Sequence, residues 1–303
     1  MRPQPVETLA ASVNRPEGVA AILRRRARGA ILTGASLLQR SSSGPFVRCL
    51  GGHYVFDDQR HDFERLIVRL RNLGEFITTG DLLDIMQGQA PLDGRYFHLS
   101  FDDGLASIWR NGVPILAEHE VPATLFINSA VVSSDAACIR EPWERATNYG
   151  QSLSVMSWDQ LRAAQSAGVE VGAHTRSHTR LSELSSDQER LQSEIAGCKR
   201  DIEDALGTPC RAFAWPYGTL RDIDGKAILA IRNAGYEAAF SLVRAPIEPG
   251  HTSTFVIPRH HFEPQWPWRH VKFFARGGME RPLDSNRYSL LMNKELICTD
   301  EGR

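Results

Sequence analysis

The stretch Tyr96-Phe97-His98-Leu99-Ser100-Phe101-Asp102-Asp103-Gly104 decides how this chain is read. An apolar, aromatic run ends abruptly in two carboxylates and a glycine. Its composition and length suit a buried strand better than a helix. In α/β folds, chemistry gathers at the C-terminal ends of parallel strands, so this end delivers Asp102 and Asp103 to a site. Successive side chains on a strand point to opposite faces, which bars two adjacent Asp from one task while the strand lasts. Gly104 lets the chain turn, and both then reach one site in different roles. A turn that uses Asp-Asp-Gly only for its own geometry is the plain alternative.

On either side of this stretch, strand and helix patterns alternate. Upstream, Val47 to Leu50 reads as a short strand. Phe63, Leu66, Ile67, Leu70 and Leu73 follow helical spacing up to Gly74, and Phe76-Ile77 is a further short strand. Downstream, the spacing predicts strands at Ala123–Ile127, Val169–Val171, Phe213–Trp215, Ala238–Phe240 and Phe255–Ile257. Capping boxes at Ser157 and at Ser186 with Glu189 predict the starts of two helices. Residues 133–156 read as an inserted loop, and Ser41 to Pro45 as a linker. The alternation implies a parallel sheet with crossover helices. Such units either close into a barrel or stay open, and the pattern fits both.

The bulk numbers narrow the function classes. The 303 residues carry a net charge of -1, with 42% hydrophobic and 23% charged residues. That is an ordinary globular balance, and no global field favours nucleic acid or an anionic membrane. The run Arg24-Arg25-Arg26-Ala27-Arg28 is a local basic cluster: a solvated helix face or a peripheral contact with a membrane surface. Five scattered cysteines without a CxxC argue against a zinc ribbon or a disulfide framework and fit a reducing compartment. No signal peptide is found, and no run reaches the roughly 18 apolar residues of a span. The expected location is cytoplasmic.

Three predicted strand ends carry unusual polar residues: Asp102 and Asp103, His174 and His178, and Pro216-Tyr217-Gly218. If the strands are parallel, all three meet at one end of the sheet. His174-Thr175-Arg176-Ser177-His178 places two imidazoles four apart, and a tight loop or helical turn converges them. A carboxylate from another strand completes a two-His, one-Asp set that suits catalytic zinc and equally non-haem iron(II).

The set Ser100-Phe101-Asp102-Asp103-Gly104, Gly172-Ala173-His174-Thr175-Arg176-Ser177-His178 and Phe213-Ala214-Trp215-Pro216-Tyr217-Gly218 resembles the polysaccharide deacetylase family. This is the domain shared with the nodulation chito-oligosaccharide deacetylases, also grouped as carbohydrate esterase family 4. Gly52-His53-Tyr54-Val55 is similar to the family's Tyr-His-x-Val stretch, with Gly52 in place of the tyrosine. The resemblance covers roughly residues 50–262. It implies a distorted (β/α) barrel as a single catalytic domain over residues 46–275, with an N-terminal extension (1–45), partly helical, and a C-terminal tail (276–303).

It also implies a metal-dependent hydrolase that removes N-acetyl groups from N-acetylhexosamine units of a glycan or glycolipid precursor. By position, Asp103, His174 and His178 are the metal ligands and Asp102 is the general base toward metal-activated water. One divalent ion is implied, zinc first, with iron, cobalt or nickel as alternatives. The backbone N–H of Tyr217 could receive the developing oxyanion. His53, Trp215 and Pro216 fall to substrate contact, although Trp215 and the ring of Tyr217 could equally be core.

The sequence departs from the family pattern twice. The base-orienting arginine of the third motif is Ala214 here, and Arg259 could supply the charge from the next strand end. The late Leu-x-His is missing, leaving His260 or His261 as general acid. The alternatives are a related C–N amide or formamide hydrolase on a small or lipid-linked substrate, and a carbohydrate-binding relative without turnover.

Overall fold

The computed structural model describes residues 7–12, 19–38, 44–132 and 153–283, with Tyr288 and Leu291. Most of the expected inserted loop (133–156), the linker at 41–43 and most of the C-terminal tail lie outside the described residues. So do Cys138, Cys298 and the side chains of Arg24, Arg25, Arg26 and Arg28.

Eight parallel strands form the sheet: β1 (Phe46–Gly52), β2 (Glu75–Ile77), β3 (Arg95–Phe101), β4 (Ala123–Ile127), β5 (Val169–Ala173), β6 (Ala212–Ala214), β7 (Ala238–Phe240) and β8 (Arg259–His261). The order is β7-β6-β5-β4-β3-β1-β8. β2 and β4 share one edge of β3: β2 pairs with Tyr96–His98, and β4 pairs with Ser100 and Phe101. Helices α1 (Leu9–Ser12) and α2 (Val19–Leu38) precede the sheet. α3 (Arg60–Arg71), α4 (Thr79–Met86), α5 (Val113–Glu118), α6 (Ser129–Val132) and α7 (Trp158–Ser166) follow in turn. Then come α8 (Gln188–Gln192), α9 (Cys198–Leu206), α10 (Gly225–Asn233) and α11 (Trp268–Ala275). No helix among the described residues is long and apolar enough to cross a membrane.

The strand period of two divides the core. Phe97, Leu99, Phe101, Leu125, Ile127, Val169, Val171 and Phe213 face the helices. Val47, Cys49, Phe126, Ala212, Ala214, Ala238 and Phe240 fill the barrel interior. Alanines on three of these positions leave the width that Phe126, Phe240 and one buried arginine take up.

The last of the expected downstream strands, Phe255–Ile257, differs from expectation. Ile257 makes only an isolated parallel bridge to Phe240, and the ladder lies at Arg259–His261, paired with Cys49–Gly51. Pro258 explains the shift. The segment bonds to β7 as far as Ile257, whose N–H donates to Ala239 O, and to β1 from Arg259 onward. Proline sits at this handover, where a missing donor disturbs neither ladder. The result is a nearly closed barrel. The helix expected to be capped by Ser186 is capped one residue later, where the Asp187 side chain accepts from Arg190 N.

α2 lies against α11, with Leu32 buried on Phe273 and Phe274 and Thr33 Oγ1 3.1 Å from His270 Nε2. The chain after α11 is tied to the outside of the barrel. Arg48 of β1 donates Nε and Nη2 to Glu280 at 2.7 and 3.1 Å, and His260 Nε2 donates to Glu280 Oε1 at 3.0 Å. Burial alone would raise the Glu280 carboxyl, but these partners pull it down to about 2. The stability it contributes is therefore complete above its ordinary value near 4.5 and is lost as pH falls toward 2. Urea midpoints should drop across this window, and Glu280→Gln should flatten that drop. An unchanged slope in the variant would show that the tie carries no pH-dependent stability.

Candidate metal centre

Asp102 and Asp103 part at the end of β3. Asp102 N still donates to Gly52 O at 3.0 Å, continuing the ladder with β1, and its side chain enters the barrel interior. Asp103 then takes a left-handed backbone (φ 70°), as does Gly104 (φ 62°), and the chain turns. A Cβ on Gly104 would sit 3.0 Å from Ile127 Cγ2, so this turn needs glycine for space as well as for torsion. The turn aims Asp103 at the loop after β5.

That loop carries His174 and His178. Their Nε2 atoms stand 3.5 and 3.4 Å from Asp103 Oδ1, and all three residues are buried. One potential ligand atom from each lies within 4.8 Å of the others. His174 Nδ1 donates to Ala214 O at 2.7 Å, which sets the tautomer and turns the Nε2 lone pair toward Asp103. Burial depresses both imidazoles to about 4, with the nearby Asp102 charge opposing the shift in each. Two imidazoles, His174 with its Nε2 lone pair, then stand against a buried carboxylate oxygen. That grouping is unfavourable unless a cation lies among them, and the donor set is one that divalent zinc, iron, cobalt or nickel accepts. The residues fit a metal ion.

The loop is held in a costly shape. Six non-glycine described residues have left-handed backbones, and four belong here: Asp103, Thr175 (φ 61°), His178 (φ 62°) and Tyr217 (φ 65°). Such torsions persist where the surroundings over-determine them. Glu194, between α8 and α9, accepts from Ser177 N at 3.0 Å, from Ser177 Oγ at 2.5 Å and from Thr179 Oγ1 at 3.3 Å. Asn128, just after β4, donates Nδ2 to the carbonyls of His174 and Thr175. Asp201 accepts from Arg176 Nε at 2.9 Å and from Ser129 Oγ at 2.7 Å. Sequence reasoning missed all three. Asn128 carried the same signal as the other strand ends, a polar residue directly after an apolar run. Glu194 and Asp201 lie within helical pattern and carried none.

Arg259 meets Asp102 from β8. Its Nη1 and Nη2 donate to Oδ1 and Oδ2 at 2.7 and 2.9 Å, its Nε to Ser241 O at 2.8 Å, and Nη1 also to Ser100 Oγ at 3.0 Å. Burial alone would push the Asp102 carboxyl up. The guanidinium, with His174 beside it, outweighs that and holds it well below the usual carboxylate range. Asp102 is thus ionised, oriented and buried.

The other expected residues divide. His261, on the same strand face as Arg259, has its ring 5.2 Å from that of His53, and its Nε2 reaches Glu263 Oε1 at 3.3 Å. His53 directly follows β1, whose Gly52 O accepts from Asp102 N, so its ring stands at the same rim, against His261. His260 does not come to the site: strand alternation turns it outward onto Glu280. Trp215 is fully buried, with Nε1 donating to Thr219 O at 3.1 Å, and Pro216 is buried too, so neither offers a surface to substrate. Tyr217 is 36% exposed, its ring between His178 (5.0 Å) and the Arg180 guanidinium (4.0 Å). Gly218 closes on Leu242, whose N lies 2.7 Å from where a Cβ would stand.

A parallel barrel with one carboxylate and two imidazoles gathered at its C-terminal rim defines an α/β barrel with a candidate metal site. The chain belongs to the polysaccharide deacetylase family, which it matches over residues 89–239. It is 22% identical over 196 residues to the poly-beta-1,6-N-acetyl-D-glucosamine N-deacetylase of Escherichia coli K12, a match covering 55% of this chain and 28% of that protein. The Staphylococcus aureus MRSA252 protein of the same name is 23% identical over 193 residues, covering 59% of this chain and 61% of that one. This chain therefore spans less than two thirds of either relative. Among solved structures, IcaB from Ammonifex degensii superimposes with TM-score 0.64 at 24% identity, over 77% of this chain and 98% of that one. The deacetylase domain of BpsB from Bordetella bronchiseptica gives 0.59 at 22% identity, over 74% and 97%. These two likenesses carry the fold.

Outer partners of a ligand loop set its metal affinity, commonly by about 10-fold or more. Glu194→Gln should therefore weaken zinc binding by about 10-fold with far-ultraviolet circular dichroism unchanged. Wild-type affinity in a calorimetric titration would remove Glu194 from the ligand scaffold.

Proposed function

We propose that this chain is a metal-dependent hydrolase that removes N-acetyl groups from N-acetylhexosamine units of a glycan or glycolipid precursor. The observation that carries the reading is the parting of two adjacent carboxylates. Asp103 faces two imidazoles, while Asp102 is clamped by Arg259. The family match and the relatives named for the same chemistry support it.

A divalent ion held by Asp103, His174 and His178, zinc in our reading, would supply Lewis acidity to the amide and to water. The protein's own groups do the rest. Asp102, kept ionised, takes the proton of the attacking water as its oxygen bonds to the acetyl carbon. Arg259 fixes both carboxylate oxygens and so directs which lone pair faces the water. The Tyr217 N–H, on its strained turn, is the donor for the carbonyl oxygen as charge develops there. The C–N bond then breaks and the amine leaves with a proton from His261 in its imidazolium form, which burial disfavours and the Glu263 carboxylate on Nε2 supports.

Asp102→Asn keeps the shape and removes the base. Acetate release from N-acetylglucosamine oligomers should fall by about 10²–10⁴-fold while metal stays bound. Full turnover in the variant, or no release by metal-loaded wild type, would overturn the assignment.

The lipid-linked form of the substrate rests on α2. Leu23, Ile31 and Leu37 are 59%, 67% and 80% exposed, on the helix that also contains Arg24 to Arg28. A helix with exposed apolar side chains and a basic run in its sequence suits an anionic interface. Co-sedimentation with phosphatidylglycerol vesicles that is lost at high salt checks this, and absence of binding at low salt would remove it.

A further inference from the structure

A groove of about 200 Å³ lies between α3 and the loop that joins β8 to α11. Asp62, Arg65 and Arg69, at helical spacing on α3, face Gln265, Trp266 and Trp268 across it. Both indoles are half-buried, and the Arg69 guanidinium is 5.7 Å from the Trp268 ring. Leu66, Pro264 and Pro267 complete its lining. The groove keeps two large aromatic rings and three charged groups at its walls.

Its place matters as much as its lining. β8 ends at His261, so the loop stands at the same end of the barrel as the metal ligands. Trp266 packs edge-on to His261 at 5.4 Å, and His261 packs on His53 at 5.2 Å. A line of rings thus runs from the centre outward to the groove.

We propose that this groove is a second sugar subsite, which takes another unit of the N-acetylhexosamine chain whose reacting unit sits at the metal centre. The inference rests on the glycan reading above. A pyranose shows an apolar C–H face and a rim of hydroxyls. An indole takes the first, and arginine, aspartate and glutamine take the second. The charges argue for a neutral sugar over a phosphate or carboxylate. Arg65 is already bonded to Asp62, so the walls present both signs together. The cavity is small for a whole ligand and suits one ring of a longer one.

The test is chain-length dependence with N-acetylglucosamine oligomers from dimer to hexamer. In wild type, kcat/KM should rise with length. Trp268→Ala should lower the hexamer-to-dimer ratio of kcat/KM by about 10-fold, the loss of one good contact, while Trp268→Phe restores most of it. Hexamer binding to Asp102→Asn protein, followed by tryptophan fluorescence, should weaken by about the same factor when Trp268→Ala is added. The two readouts separate the claims. Acetate release with an unchanged length ratio overturns the subsite and leaves the deacetylase. Hexamer binding that depends on Trp268 with no acetate release overturns the deacetylase and leaves the subsite. Binding and ratio both indifferent to Trp268 end the proposal.

Discussion

The ion pair between Arg259 and Asp102 is the constraint on which the interior of this barrel depends. A carboxylate buried in a barrel would neutralise or unfold its surroundings without a partner, and breaking such a pair commonly costs about 3–5 kcal/mol. The guanidinium spends all three nitrogens on Asp102, Ser100 and Ser241, and its flat face lies near Phe126 and Phe240 at 5.2 and 5.9 Å. Room for it explains the small residues around it. A Cβ on Gly51 would meet Leu242 Cδ2 at 3.3 Å and Arg259 Nη1 at 3.6 Å; Ala214 is the position at which the family resemblance leads one to expect an arginine. Ala214 still contributes through its backbone, by fixing the His174 tautomer.

The same strand end shows how two identical side chains acquire different chemistry. One residue of left-handed backbone, at Asp103, turns the second carboxylate away from the first. Asp102 then lies against a guanidinium and Asp103 against two imidazoles. The torsions that achieve this at Asp103, Thr175, His178 and Tyr217 are unfavourable locally. They are offset by buried hydrogen bonds from Glu194, Asn128 and the β-ladders on either side. Rigid elements behind a strained loop are what hold ligand atoms within tenths of an ångström of their working positions.

Much of this was legible in the residues themselves. The strand ends at Asp102-Asp103-Gly104 and His174 to His178 each coupled an apolar run to polar residues, and a parallel sheet brings such ends together. Arg259 was legible as a charge looking for the place that Ala214 leaves empty. What the residues left open has one physical source, which is strand parity. Pro258 hands the chain from one neighbour to another and restarts the ladder at Arg259, and that restart decides that His261 looks inward and His260 outward. Likewise Ala212 and Ala214 face the interior, which sends Trp215 to the helix side. Glu194 was illegible because its role is tertiary: nothing within its own helix marks it as the post to which a distant loop is tied.

The handover at Pro258 also bears on the order in which the molecule is made. Asp102 and Arg259 are 157 residues apart in sequence, and the strand that carries Arg259 is the last of the eight. Contacts across so long a loop form late, after local helices and neighbouring strands have paired. A chain emerging from the ribosome holds His174, His178 and both carboxylates well before the guanidinium exists. Until β8 docks, Asp102 has no counter-charge and the interior cannot close around it dry. Closure of the barrel and pairing of the Asp102 charge are therefore one event, and a chain cut short before Arg259 would lose both together.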